Sequence, residues 1–298
     1  MKIGLTALAL TLALCFGTAQ AQESNDKDAE TRAFLSSLRY EDGNIALPDA
    51  SAHINVKPGF RFLGHDDARR VLEQYWGNPP DDSVLGMLVP DNAGLDSDHS
   101  WAVVVTYSDE GYVSDEDANE IDYDAMLKEM KSGTSEENEE RKRAGYPSIE
   151  LVGWAQPPRY DAASKRLHWA KELSFDGEKS HTLNYDIRVL GRSGFISLNA
   201  VASMDDLDLV NAGMNQVLPM AEFDAGQRYA DFKPGTDKVA AYGLAALVGG
   251  GIAAKTGLLA KLGALLLAGK KFIVLIFVAL AAFVRKLFGG KKDKGSVQ

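Results

Sequence analysis

The feature that most constrains this 298-residue chain is the absence of charge from two stretches near its C-terminus. Residues 239–254 are sixteen consecutive uncharged residues and 272–284 are thirteen more, with a basic tail of Arg285, Lys286, Lys291, Lys292 and Lys294 behind them. No acidic residue lies between Lys238 and Asp293. A helix that crosses a hydrocarbon core of roughly 30 Å needs about 20 apolar residues. At about 1.5 Å per residue the two runs reach about 24 Å and about 20 Å. Each is therefore short unless Lys238, Lys255, Lys271 and Arg285 snorkel to the interface. Placing Lys270 and Lys271 at mid-bilayer would be expensive, which argues against one long helix through both runs. Residues 239–288 are thus expected to form a hydrophobic membrane anchor, as one spanning helix or a helical hairpin, and 289–298 a basic tail that contacts lipid. Small residues recur every four positions in the first run (Ala245, Gly249, Ala253 and Ala246, Gly250, Ala254), a pattern that permits self-association in lipid. Any glycine-rich apolar run also produces such rows.

The opposite end reads as an export signal. Lys2, an apolar run from Ile3 to Phe16 and then Ala19-Gln20-Ala21 are the three parts of a secretory signal peptide over residues 1–21. Cys15 offers a lipidation alternative, but Leu14 stands where that processing prefers a small residue. Cleavage after Ala21 would leave no cysteine, so the mature chain is expected to be held by its core without a disulfide.

Between the two lies an acidic domain, residues 22–238, with 41 acidic against 22 basic side chains. That balance excludes a nucleic-acid partner, whose phosphates demand a basic footprint. Residues 239–298 carry nine basic side chains against one acid, and the positive-inside rule puts such a tail on the cytoplasmic side. The expected location is the cell inner membrane, with the acidic domain facing the periplasm.

Periodicity within the domain predicts an α+β fold with a mainly antiparallel sheet and flanking helices. Residues 31–40 suit a short helix. Small and polar residues alternate from Ala50 to Lys57, Phe60 to Leu63 reads as a second strand, and Asp66 to Trp76 as an amphipathic helix. Val84–Val89 and Trp101–Tyr107 follow as strands, with Trp101 expected in the core. Ser114 and Asp117 resemble a capping box opening a helical region, with one helix at 121–131 and a second, charged one at 135–144. Four strands come next, at 149–155, 165–173, 181–190 and 195–202, separated by Pro157-Pro158, Asp176-Gly177 and Gly191–Gly194, as in an antiparallel meander. A helix over 205–217 closes the domain.

Gly153-Trp154-Ala155-Gln156-Pro157-Pro158-Arg159-Tyr160-Asp161 also carries a resemblance. Together with Gly77-Asn78-Pro79-Pro80, Leu85–Pro90, Gly111-Tyr112-Val113 and Leu167-His168-Trp169-Ala170, it resembles a family of bacterial membrane-anchored proteins known as domain of unknown function 2167. The resemblance runs from about Thr31 through the apolar tail. It implies a proteobacterial envelope protein with a signal peptide and a C-terminal anchor. It implies no activity and no catalytic residues.

Motifs for chemistry mostly fail on spacing. Asp115-x-Asp117-x-Asn119 begins like a calcium loop, but Glu120 and Met126 stand where that loop needs Gly and Glu, so a solvated helix start is expected. Asp96–His99 and His65-Asp66-Asp67 could supply metal ligands, but neither has a second histidine at metal-binding spacing, and His65 and Asp66 fit a helix cap better. Gly191–Gly194 lacks the spacing of a nucleophile elbow and fits a hairpin turn. His168 and His181 could lie opposite each other on adjacent strands without a serine, cysteine or acid tied to them. Trp154, Gln156, Arg159 and Tyr160 form the candidate binding segment, an aromatic and Arg-bearing stretch suited to a recognition edge or a rigid turn. No metal, cofactor or catalytic residue is indicated. The reading is a non-enzymatic binding or adaptor module of the envelope, with a protein partner or self-association. The alternative is a hydrolase whose site is assembled only in the fold.

Overall fold

The computed structural model describes residues 29–78, 80–143 and 147–249. Residues 29–36 form a helix, α1, in a unit that ends at Arg39. The second unit starts at Tyr40 and is built on an eight-stranded antiparallel sheet. Its strands are β1 (Tyr40–Glu41), β4 (Phe60–Gly64), β5 (Val84–Pro90), β6 (Ala102–Ser108), β8 (Ile149–Asp161), β9 (Arg166–Phe175), β10 (Thr182–Leu190) and β11 (Phe195–Ser203). They lie in the order β1-β4-β5-β6-β11-β10-β9-β8. A three-stranded sheet, β12-β3-β2, joins β2 (Asn44–Leu47), β3 (Ala52–Asn55) and β12 (Ala221–Phe223). A parallel pair joins β7 (Tyr112–Ser114) to β13 (Val239–Gly243). The helices are α2 (His65–Arg70), which runs on as a π turn over Val71–Tyr75, α3 (Tyr123–Arg143), α4 (Leu207–Val217) and α5 (Leu244–Gly249).

Period-two alternation accounts for the meander β8–β11. Leu183, Tyr185, Ile187 and Val189 of β10 and Ile196, Leu198, Ala200 and Ala202 of β11 share one buried face. Val210, Met214 and Val217, one face of α4, complete that core. Trp101 is 1% exposed within it and meets Phe60 edge-on at 6.0 Å. Gly213 of α4 is glycine for want of space, since a Cβ there would lie 2.4 Å from the Trp101 ring.

On the opposite face, α3 lies over β8, and β7, β13 and α5 enclose a second cluster around Val113, Leu167, Trp169, Tyr229, Leu244 and Val248. Three sequence expectations change here. The two helices expected at 121–131 and 135–144 are one continuous helix. Met126, Leu127 and Met130 pack on Ile149, Leu151 and Phe175 and carry the helix through Gly133, outweighing a propensity cost of about 1 kcal/mol for that glycine. The cap is not Ser114: the Asp122 carboxylate accepts from the backbone N–H groups of Asp124 and Ala125 at 3.1 and 2.9 Å. Pro157 and Pro158 do not separate strands but lie within β8. Being the sheet edge, β8 has one unpaired side, and its register slips by one residue between Gln156 and Arg159, so missing N–H groups are tolerated.

The fourth difference concerns the first apolar run. Its opening residues, 239–249, are β13 and α5, with Leu244 and Val248 buried among the domain's own side chains. Among the described residues no helix is long and apolar enough to cross a membrane. Residues 1–28 and 250–298, which hold the signal-peptide reading and the rest of both apolar runs, lie outside the described residues.

Candidate functional site

Strand β8 carries all four residues of the candidate binding segment, and its pleat divides them between two faces. Trp154 pairs with Lys171 and Tyr160 with Leu167, and both aromatics pack on the Leu167–Trp169 cluster beneath α3 and β13. Trp154 donates its indole N–H to the carbonyl of Tyr123 at 3.3 Å, tying the strand to the start of α3. Gln156 and Arg159 turn the other way. Gln156 stands opposite Ala170 and hydrogen-bonds Tyr185, and Arg159 stands opposite His168. The four residues therefore form no single patch.

Tyr160 leads to a site that the sequence does not disclose. Its hydroxyl donates to the Asp115 carboxylate at 2.6 Å, and the Lys165 ammonium donates to the same oxygen at 2.6 Å. The hydroxyl of Tyr229 lies 2.9 Å from the other oxygen and 3.0 Å from the Val113 carbonyl, and it accepts from the Asp115 backbone N–H at 3.1 Å. Tyr112 stacks between Phe232, 3.8 Å away, and Tyr229, 4.4 Å away, with the Lys165 ammonium 4.7 Å from the Tyr229 ring centre. Lys165 reaches this position from the β8–β9 turn with φ +56°, a left-handed conformation rare for a side-chain-bearing residue.

Burial alone would raise the Asp115 pKa, but hydrogen bonds from Lys165, Tyr160 and Tyr229 outweigh it and hold the carboxyl below its ordinary range. Burial and the Asp115 carboxylate together push Tyr160 far above the ordinary phenol value, and burial likewise raises Tyr229, with bonds to Tyr112 and Asp115 adding to it. At neutral pH the cluster is an ionised acid gripped by an ammonium and two neutral phenols. Outside it opens a cleft of about 390 Å³, lined by Asp115, Glu116, Asn119, Tyr123, Tyr160 and Ala162 among others. Tyr123 lines this cleft, and its hydroxyl is buried with no hydrogen-bond partner among the described residues.

The acidic stretch 115–119 is thus not a solvated helix start. Asp115 clamps three elements, and Asp117 accepts from the backbone N–H groups of Leu244 and Ala245 at 3.1 and 3.2 Å, capping α5. The remaining sequence candidates disperse. His65 opens α2, the N-cap being Gly64, and its Nδ1 meets the Val84 carbonyl at 2.6 Å. His99 pairs with Asp206 at 2.6 Å and His181 with Glu172 at 2.5 Å. His168 and His181 are not opposed: the register puts Ile187 opposite His168, and His181 precedes the Thr182–Leu173 pair. Gly191–Gly194 is the β10–β11 hairpin turn, where Arg192 grips both carboxylate oxygens of Asp237 at 2.7 and 2.8 Å. Lys165 and Tyr229 escape a sequence reading because they reach Asp115 from 50 and 114 residues along the chain. The only local trace was aromatic density around an acidic stretch, which solvated loops share.

The architecture is that of an α+β domain with a large antiparallel sheet and a clamped C-terminal strand. The chain belongs to the family described as protein of unknown function (DUF2167), which matches residues 39–281. No curated protein matches the sequence. Solved structures that are similar in part include cyanobacterial PsbP and the Ran-binding protein Mog1p. Cyanobacterial PsbP (CyanoP) from Synechocystis sp. PCC 6803 is 14% identical, covering 63% of this chain and 93% of that one, with a TM-score of 0.32. The Ran-binding protein Mog1p of Saccharomyces cerevisiae is 8% identical, covering 62% and 96%, also with a TM-score of 0.32. Likeness at that level carries no function across.

Proposed function

We propose that the protein is a membrane-anchored binding module of the cell envelope, its α+β domain in the periplasm and its recognition site the cleft beside Asp115. The observation that carries this reading is the buried hydroxyl of Tyr123, a cleft-lining residue, which has no partner among the described residues. Buried polar groups are nearly always satisfied, so a ligand is the natural source of the missing bond. The flanking chemistry suits contact better than turnover. Asp115 is occupied by three donors and the two phenols bound to it are held neutral, which leaves that cluster rigid. A hydrolase would want a histidine joined to a nucleophile. His53, His99 and His181 each pair with a carboxylate instead, and none has a hydroxyl or thiol among its side-chain partners in the described residues.

The reading is tested with a photo-crosslinking residue in place of Ala162, on the rim, in otherwise intact cells. A discrete adduct should form there, disappear when Tyr123→Phe removes the hydroxyl, and be absent when the probe replaces Asn44 on β2. An adduct indifferent to Tyr123→Phe, or no adduct at all, overturns the assignment of the cleft.

A further inference from the structure

The other face of β8 holds a second constellation, independent of the cleft. Cross-strand register lines up three rows on that face: Asp161 with Arg166 and Val189, Arg159 with His168 and Ile187, and Gln156 with Ala170 and Tyr185. Directly paired residues on one face have Cβ atoms about 4.5–5.5 Å apart, so Arg159 and His168 are immediate neighbours, and the Gln156–Tyr185 pair lies one row on. The arrangement depends on the slip at Pro157-Pro158. In an unbroken ladder Pro158 would face His168 and Arg159 would point to the opposite face. The extra residue brings the guanidinium round instead, a known use of bulges.

Within these rows Arg159, one nitrogen of His168 and one of Arg166 are short of partners. Arg159 is exposed and makes no hydrogen bond or ion pair among the described residues, in a chain whose formal charge is −10. Among the described residues its neighbour His168 has a buried Nδ1 without a partner, and Arg166 has a buried Nε without one while its terminal nitrogens donate to the carbonyls of Ser164 and Ala221. The carboxylate of the outer row is already engaged, since Asp161 accepts from the Ala163 N–H and the Ser164 hydroxyl at 2.9 and 2.5 Å. Burial, followed by the Arg159 charge, lowers the His168 pKa, so the ring is neutral beside the guanidinium and has a donor to offer.

We propose that this row is an anion-recognition site for a phosphate group, with Arg159 supplying the charge and a planar fork, and His168 and the Gln156 amide the further donors. An arginine fork engages two oxygens at once. Donors beyond the fork exceed the two oxygens of a carboxylate and match the three or more of a phosphate. The group can come from free phosphate or from a lipid headgroup.

The test uses the full-length protein in non-ionic detergent, with its histidines isotopically labelled for NMR. Inorganic phosphate and a short-chain phosphatidylglycerol are titrated separately while the His168 ring resonances are followed. A saturable His168 shift is expected with at least one probe. A response to both places the site among general phosphate binders, and a response to the lipid alone makes it a headgroup site. Arg159→Gln should weaken the response about tenfold or more, as loss of a charged hydrogen-bond partner does. Arg61→Gln, on the distant strand β4, should leave it unchanged. Because Arg159 is exposed and unpaired, its replacement should not alter the unfolding midpoint, so a lost response means a lost ligand and not a lost fold. No saturable shift with either probe, or a shift that survives Arg159→Gln, overturns the proposal.

Discussion

Asp115 and Asp237 show how single carboxylates secure the C-terminal part of the domain. Asp237 is held at about 2 from an ordinary 3.8, first by the Arg192 fork and then by the Lys233 N–H, and Asp115 is lowered by Lys165, Tyr160 and Tyr229 against the effect of burial. A carboxyl lowered by folding contributes stability that is complete above its unfolded value and is lost as pH falls through its folded one. For Asp237 that window lies between 3.8 and about 2. The unfolding midpoint of the full-length protein should therefore fall between about pH 5 and about pH 2. Asp237→Asn should lower the midpoint at the upper end and converge with the parent at the lower end. Parallel curves would show that Asp237 contributes nothing to the slope. The sequence marked neither residue as a clamp, because an acid becomes one only when a fork or a phenol is delivered to it from elsewhere.

At the scale of elements, the packing of α4 on the sheet is the contact most sensitive to volume. Trp101 fills the space against Gly213 and Phe60, so Trp101→Ala should cost about 3–5 kcal/mol, the usual loss for a large core aromatic. Gly213→Ala adds a methyl where the ring already stands 2.4 Å from an ideal Cβ and should cost about 1–3 kcal/mol by overpacking. Chemical unfolding of both variants checks the pair. Equal stability of Gly213→Ala and the parent would mean that α4 can lift from the sheet at no cost. This core was legible in sequence because Trp101–Tyr107 is a run rich in β-branched and aromatic residues and the strands within 181–202 alternate with the sheet's own period. The union of two expected helices in α3 was not, because Gly133 reads as a break until Met130 is seen docked on β8.

For the whole molecule, the consequence lies in where the domain stops. β13 and α5 enclose Val113, Leu167 and Trp169, and the N-terminal end of α5 is capped by Asp117. A chain cut after Lys238 should be less stable than one cut after Gly249 by about 3–6 kcal/mol, from loss of Leu244 and Val248 at about 1.5–3 kcal/mol each. Unfolding of the two fragments measures the difference. If residues 250–288 carry the attachment, both fragments should appear in the soluble periplasmic fraction of cells. A 22–249 fragment that sediments with membranes would move the anchor into the domain itself.

The sequence by itself determined what local pattern can encode: the strands β8–β11, the burial of Trp101, the α+β class and the family. Each rests on a repeat or motif within a few residues. Tertiary structure alone decided the fate of Asp115, Asp117 and residues 239–249. Asp117 and the N–H group it caps are 127 residues apart, and no short-range rule links them. An uncharged run satisfies a protein core and a bilayer on the same grounds, removal of apolar surface from water. Val239–Gly249 therefore carries no local mark of which environment it enters. That choice was made by β7, which offers a free edge to β13, and by the cluster around Trp169, which α5 covers.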